Sequence, residues 1–231
     1  MFSINNIILM SINLNILFVI TSIVKRENPK SSVYNWNERY NQTCNTISTI
    51  KYKIPEAKIV VIEASKTINN RKFYFQGVDM FYIKNDDVYK HQSSGESIML
   101  KTFLESDFFN KYKDVNMVFK ISWRYYLNDN FNLNNFDETK INARKIYTKN
   151  DPNCNSNILY STDPDYCHVT ILFCFPFGKS SIICECLENY LKNNEGGDLE
   201  HILFKYCNNI NNVIELGVSG HLSPNGMFVK Y

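Results

Sequence analysis

Residues 15–22 form a nearly unbroken run of apolar and β-branched side chains, and residues 58–65 repeat that character. An apolar run of this length without polar alternation predicts a strand covered on both faces, the environment of a parallel sheet. Between the two runs Tyr40, Cys44, Ile47, Ile50 and Ile54 recur at spacings of three and four. That stripe predicts a surface helix over 38–54 with one face on the core, ended by Pro55. Strand, helix and strand in this order, with a crossover long enough for parallel neighbours, predict the opening β-α-β unit of a nucleotide-binding α/β domain. Ligands collect at the carboxyl ends of such strands, which places Thr21, Ser22, Glu63 and Ser65 at the expected site.

The same reading carries on along the chain. Residues 72–78 and 80–83 are expected as short extended pieces. The segment 93–97 opens a helix whose face is Ile98, Met99, Phe103 and Leu104, with Ser94 or Ser97 as its cap. Residues 116–122 and 169–175 have the composition of buried strands, and 180–194 and 198–208 that of helices. The Asn- and Asp-rich stretch 125–151 is expected to contain a long loop or small excursion, and 213–226 a turn-rich hairpin. No internal repeat appears, which argues against a solenoid. The predicted fold class is α/β, a single Rossmann-like domain with a mostly parallel central sheet over 15–231, preceded by an extension over 1–14.

Composition narrows the function. With 25 basic and 23 acidic side chains and no basic stripe, binding to nucleic acid is not expected. The abundance of Asn, Ile, Lys and Tyr is a bias of AT-rich genomes. The apolar run over 7–24 is interrupted by Asn13 and Asn15 and followed, rather than preceded, by Lys25 and Arg26. A membrane anchor needs about 20 consecutive apolar residues, so the run is taken as a first strand and membrane anchoring is not expected. A luminal, membrane-anchored form is the alternative. The seven cysteines, 44, 154, 167, 174, 184, 186 and 207, lack the paired spacing of a zinc site. Free thiols in a reducing compartment, hence a cytoplasmic location, are the expectation. The sequon at Asn41 falls within the predicted helix and is read as an accidental match.

Candidate chemistry is sparse. Neither G-x-G-x-x-G nor G-x-x-x-x-G-K-[ST] occurs, so a dinucleotide enzyme and a P-loop ATPase are disfavoured. Arg39, Gln42 and Thr43 begin the first helix, where an arginine either clamps a diphosphate or merely belongs to a solvated first turn. Gly95 permits close backbone approach, and Glu96 beside it either fixes a ribose or sugar hydroxyl or favours the positive helix end. Glu215, near Gly217 and Gly220, is a candidate general base or a surface strand-end carboxylate. Asp163 and Asp165 fit D-x-D in a turn-like stretch, and Asp86 and Asp87 are read as loop carboxylates. Of the scattered histidines only His221, next to the paired glycines, attracts attention, and Phe108, Phe109, Trp123, Tyr125 and Tyr126 are read first as core aromatics and second as stacking partners for a base or a sugar.

The order of the parts resembles glycosyltransferase-like proteins of giant viruses and bacteria, within the A-type glycosyltransferase fold. The residues that carry the likeness are Ile20-Thr21-Ser22, Tyr34, Glu38-Arg39, Gln42-Thr43, Val60 to Ser65, Ser94-Gly95-Glu96, Val118 to Tyr125 and Leu216 to Gly220. The resemblance implies a sugar transferred from a nucleotide-diphosphate donor to a hydroxyl acceptor such as a glycan. It places Thr21, Ser22, Arg39, Gln42, Glu63, Gly95, Glu96 and Lys120 at the nucleotide sugar, with Arg124 and Glu215 as catalytic residues. Where that fold carries a metal-binding carboxylate pair, this chain has Lys120-Ile121-Ser122-Trp123-Arg124. No metal site is therefore assigned, and Arg124 with Lys120 is expected to neutralise the leaving diphosphate in place of a divalent metal. Trp123 stands where the resemblance expects a small residue and would restrict a ligand's approach. The alternative function is a non-catalytic binding or assembly protein that keeps the fold.

Overall fold

The computed structural model describes residues 14–25, 33–65, 73–83, 88, 94–147, 166–193, 206–222 and 226–231. Four strands in chain order, β1 (Ile16–Ser22), β2 (Lys58–Glu63), β3 (Asp79–Tyr82) and β4 (Met117–Ser122), lie parallel. With β6 (Asn142–Tyr147), β7 (Tyr166–Pro176) and β8 (Asn211–Asn212) they form a seven-stranded sheet of order β3-β2-β1-β4-β7-β6-β8. Only β7 runs antiparallel to its neighbours β4 and β6. A second sheet of order β10-β9-β5 joins β5 (Tyr125–Leu127), β9 (Val218–His221) and β10 (Phe228–Lys230). The expected α/β class and mostly parallel sheet are thus found.

Alternation along β1 divides the core. Leu17 and Val19 pack with Phe103 of helix α2 (Gly95–Leu104) and Ile183 and Leu187 of α3 (Ser180–Asn193). Ile16, Phe18 and Ile20 pack on the other face with Ile47 and Ile50 of α1 (Trp36–Lys53), joined there by Tyr125, Leu127 and Val218 of the small sheet. Successive side chains of a strand point to opposite faces, so an unbroken apolar run is what two covering layers require. Burying each such Leu, Ile or Phe contributes about 1.5–3 kcal/mol relative to exposure.

Several boundaries differ from the sequence reading. Helix α1 starts at Trp36, before Glu38, because Asn35 and Glu38 form a reciprocal capping box: the Glu38 amide donates to Asn35 Oδ1 at 3.0 Å and the Asn35 amide donates to Glu38 Oε2 at 2.7 Å. Residues 73–78 are not a strand; they turn at Gly77, whose φ is +71°. Ser97 is no cap: it lies buried inside α2. The expected long loop spans 128–141, flanked by β5 and β6, which were not expected. Asparagines here tie backbone together, as buried Asn142 does by donating to the carbonyls of Asp137 (2.8 Å) and Lys140 (2.7 Å) while accepting from the Asp137 amide (2.8 Å). The helix expected over 198–208, the Asp86-Asp87 pair and Asp163-x-Asp165 lie outside the described residues, apart from 206–208. No helix among the described residues is long and apolar enough to cross a membrane.

Candidate functional site

The chain leaves β1 through α1 towards β2 on one side and returns through α2 to β4 on the other. The order reverses between β1 and β4, and a crevice for ligands opens at the carboxyl ends of strands at such a point. Thr21 and Ser22 end β1, and Ser122, Trp123 and Arg124 follow from β4. By strand alternation Thr21, Lys120 and Ser122 face α2, while Ser22 and Trp123 face α1.

On the α2 side the polar groups converge on Glu96. Thr21 Oγ1 donates to Glu96 Oε1, Ser122 Oγ donates to the same oxygen at 2.8 Å, and Lys120 Nζ stands 2.7 Å from it. Lys120 is completely buried, and its ammonium also donates to Ser122 Oγ and the Thr170 carbonyl, each at 2.8 Å. An ammonium has three donors, and all three are engaged within the protein. Lys120 thus serves Glu96 rather than reaching into the crevice. Burial pushes the Glu96 carboxyl up, but the Lys120 charge and the three hydrogen bonds outweigh it and hold the group below its ordinary range. The carboxylate sits in the first turn of α2, where the helix dipole also favours it, and keeps 32% of its side chain exposed.

On the α1 side Arg39 is buried and its guanidinium lies 4.4 Å from the centre of the Trp123 ring. Arg124 approaches the same ring at 5.4 Å and the Tyr125 ring at 5.6 Å. Trp123, read from sequence as an obstruction, is a buried platform on which two cations rest. Arg124 Nε and Nη1 are sequestered from solvent and make no hydrogen bond, and neither does Oε1 of Gln42, one turn along α1 from Arg39. Thr46 fixes this corner, its hydroxyl lying 2.9 Å from the Trp123 carbonyl and 2.7 Å from that of Tyr125.

Glu63 organises the loop leaving β1. Its Oε1 accepts from the amides of Val24 (3.2 Å) and Ser65 (2.9 Å) and from the Ser65 hydroxyl, which in turn accepts from the Lys25 amide at 2.7 Å. Ser22 Oγ lies 3.4 Å from Thr43 Oγ1. Burial raises the Glu63 carboxyl above its ordinary value despite the hydroxyls of Ser65 and Ser22 and the two amides, and Oε2 has no partner. Between the ordinary and the raised value the folded chain holds the extra proton, so this group lowers stability as pH rises through that window. Glu63→Gln keeps the Oε1 acceptor and removes the titration. Denaturant melts across and above the ordinary carboxylate range are expected to show the wild type losing stability with rising pH where the variant does not.

Two expected residues do not join the site. Gly95 is close-packed, but against the chain itself: a Cβ there would meet the Val88 carbonyl at 2.9 Å. Glu215 is exposed and accepts from Asn130 Nδ2 beside the far end of the β5-β9 pair. Gly220 pairs with Tyr125, and a Cβ on it would lie 2.4 Å from the Arg124 carbonyl. Strand rise of about 3.3 Å per residue puts Gly217 roughly 10 Å further along, with Glu215 beyond it.

His221 adjoins Gly220 instead. Its Nδ1 lies 3.1 Å from the Gly226 carbonyl, an acceptor only, which selects the tautomer with a proton on Nδ1 and leaves Nε2 as the basic nitrogen. Ser122 and Thr46 carry parts of the site that sequence reading missed, and Trp123 carries a support for Arg39 and Arg124 that it did not foresee; the alternation of β4 past Lys120 held a signal for Ser122, and nothing local held one for Thr46. Among the described residues no cluster of His, Cys, Asp and Glu is arranged to hold a metal ion. Comparison of the sequence with protein-family models and with curated proteins gives no match.

Proposed function

We propose that the chain is a glycosyltransferase-like protein that binds a nucleotide-diphosphate sugar across the β1-β4 crevice and transfers the sugar to a hydroxyl acceptor. The observation that carries the reading is Arg124: a half-buried guanidinium held on Trp123 at a topological switch point, with the hydrogens of Nε and Nη1 unanswered by the protein. The planar, permanently charged guanidinium matches phosphate oxygens. Arg124, with Arg39 beside it, neutralises the diphosphate as it leaves, the task a metal performs elsewhere. Glu96, its charge secured by Lys120, accepts from a ribose or sugar hydroxyl. His221 is better placed than Glu215 to take the acceptor's proton.

The second reading, a non-catalytic binding protein, is favoured by the separation of Glu215 from Arg124. The two are distinguished by incubating the chain with uridine and guanosine diphosphate sugars, with and without manganese, and measuring release of the nucleoside diphosphate. Release that persists without manganese and falls in His221→Ala is expected; binding without release from any donor supports the second reading.

A further inference from the structure

Helix α3 turns Ile183, Cys186, Leu187 and Tyr190 towards the sheet, and Cys207 meets that face from the segment entering β8. The Sγ atoms of Cys186 and Cys207 lie 2.9 Å apart, and both residues are buried. A formed disulfide has an S–S length of about 2.0 Å, so side-chain rotation of less than ~1 Å closes the gap. Among the cysteines whose side chains are described, 44, 174 and 184 show no comparable pairing. The contact between the two thiols lowers the Cys186 thiol from its ordinary value, while the same contact and burial raise Cys207. This asymmetry makes Cys186 the attacking sulfur.

We propose that Cys186 and Cys207 form a reversible intrachain disulfide, a modification site that clasps α3 to the segment entering β8. The proposal is independent of the reading of the crevice. With a small-molecule disulfide as oxidant, the Cys186 thiolate attacks one of its sulfurs and expels a thiolate, leaving a mixed disulfide. The Cys207 thiolate then attacks Cys186 Sγ, forming the intrachain bond and expelling the second small thiol. Two protein thiols are oxidised, one small disulfide is reduced to two thiols, and the two protons pass to the departing thiolates. The bond would close a span of 21 residues behind the helix that packs on α2, so it restrains the support of Glu96 without touching the crevice.

The test is peptide mass mapping of the full-length chain after incubation with oxidised glutathione and alkylation of the remaining thiols. The expected result is one Cys186–Cys207 cross-link that dithiothreitol removes, together with a raised melting midpoint relative to the reduced chain. In Cys207→Ser a glutathione adduct is expected to persist on Cys186. Recovery of Cys186 and Cys207 both alkylated from folded, oxidant-treated wild type would overturn the proposal, as would either of them linked to another cysteine; because this arm uses the wild type, it stands whether or not the variant folds.

Discussion

Lys120→Met is expected to destabilise the fold by about 3 kcal/mol, since removing one partner of a buried ion pair leaves the other charge uncompensated. The substitution nearly preserves side-chain volume, so the loss is electrostatic rather than a cavity. It strands the Glu96 carboxylate and removes the donor to Ser122 and to the Thr170 carbonyl. For a chain of this size the melting midpoint falls by roughly 6–12 °C.

The pH dependence identifies the cause. In the wild type Lys120 depresses the Glu96 carboxyl, so the stabilisation is complete above the ordinary carboxylate value and is lost only as pH falls through the lower, folded value. In Lys120→Met only the Thr21 and Ser122 hydrogen bonds still oppose burial, so the loss of stability on acidification is expected to be smaller than in the wild type. Adding Glu96→Gln removes the stranded charge and is expected to recover a substantial part of the loss. A single variant within about 1 kcal/mol of wild type by urea melts, or a double variant no better than the single, would refute the pairing.

Arg124→Ala separates ligand binding from stability. Its Nε and Nη1 satisfy nothing in the protein, and its interactions are those with the rings of Trp123 and Tyr125. Removing it is expected to cost no more than about 1 kcal/mol of stability. Charge-assisted hydrogen bonds to a diphosphate contribute on the order of 2 kcal/mol, so affinity for a nucleoside diphosphate is expected to fall about 30-fold. Arg124→Lys keeps the charge and loses the planar fork, and is expected to recover only part of the affinity. Paired thermal melts and binding titrations measure both effects. A variant that unfolds, or one that binds as tightly as wild type, would contradict the role given to this side chain.

The fold was legible where local physics dominates. Uniform burial of β1, β2 and β4 follows from runs that only a doubly covered sheet can hold, and the α1 stripe from its helical period. The strands flanking the loop after Tyr125 were not expected because asparagine in a turn and asparagine bracing a strand look alike in sequence; Asn142 differs only through partners brought in by the fold, including Asn211 at 2.8 Å.

In the site, Thr21, Glu96 and Lys120 were anticipated from strand ends and a helix start, but their convergence on one oxygen is a tertiary fact. So is the support of Arg39 and Arg124 by Trp123. Glycine next to a candidate misled twice. Gly95 answers to the Val88 carbonyl, and Gly217, at φ +68°, to the Phe131 backbone that a Cβ would strike at 2.2 Å. Gly217 solves a packing problem between segments distant in sequence and Gly95 one with Val88, seven residues before it, and no local pattern distinguishes either from room left for a ligand.

The central claim is that the crevice between β1 and β4 takes a nucleoside diphosphate through the protein's own cations. Calorimetric titration of the wild-type chain with uridine diphosphate and guanosine diphosphate, in chelator and then in manganese, tests it directly. Saturable one-site binding of at least one of them in chelator is the predicted result. Absence of binding by both in either condition, or binding that appears only with manganese, would contradict it.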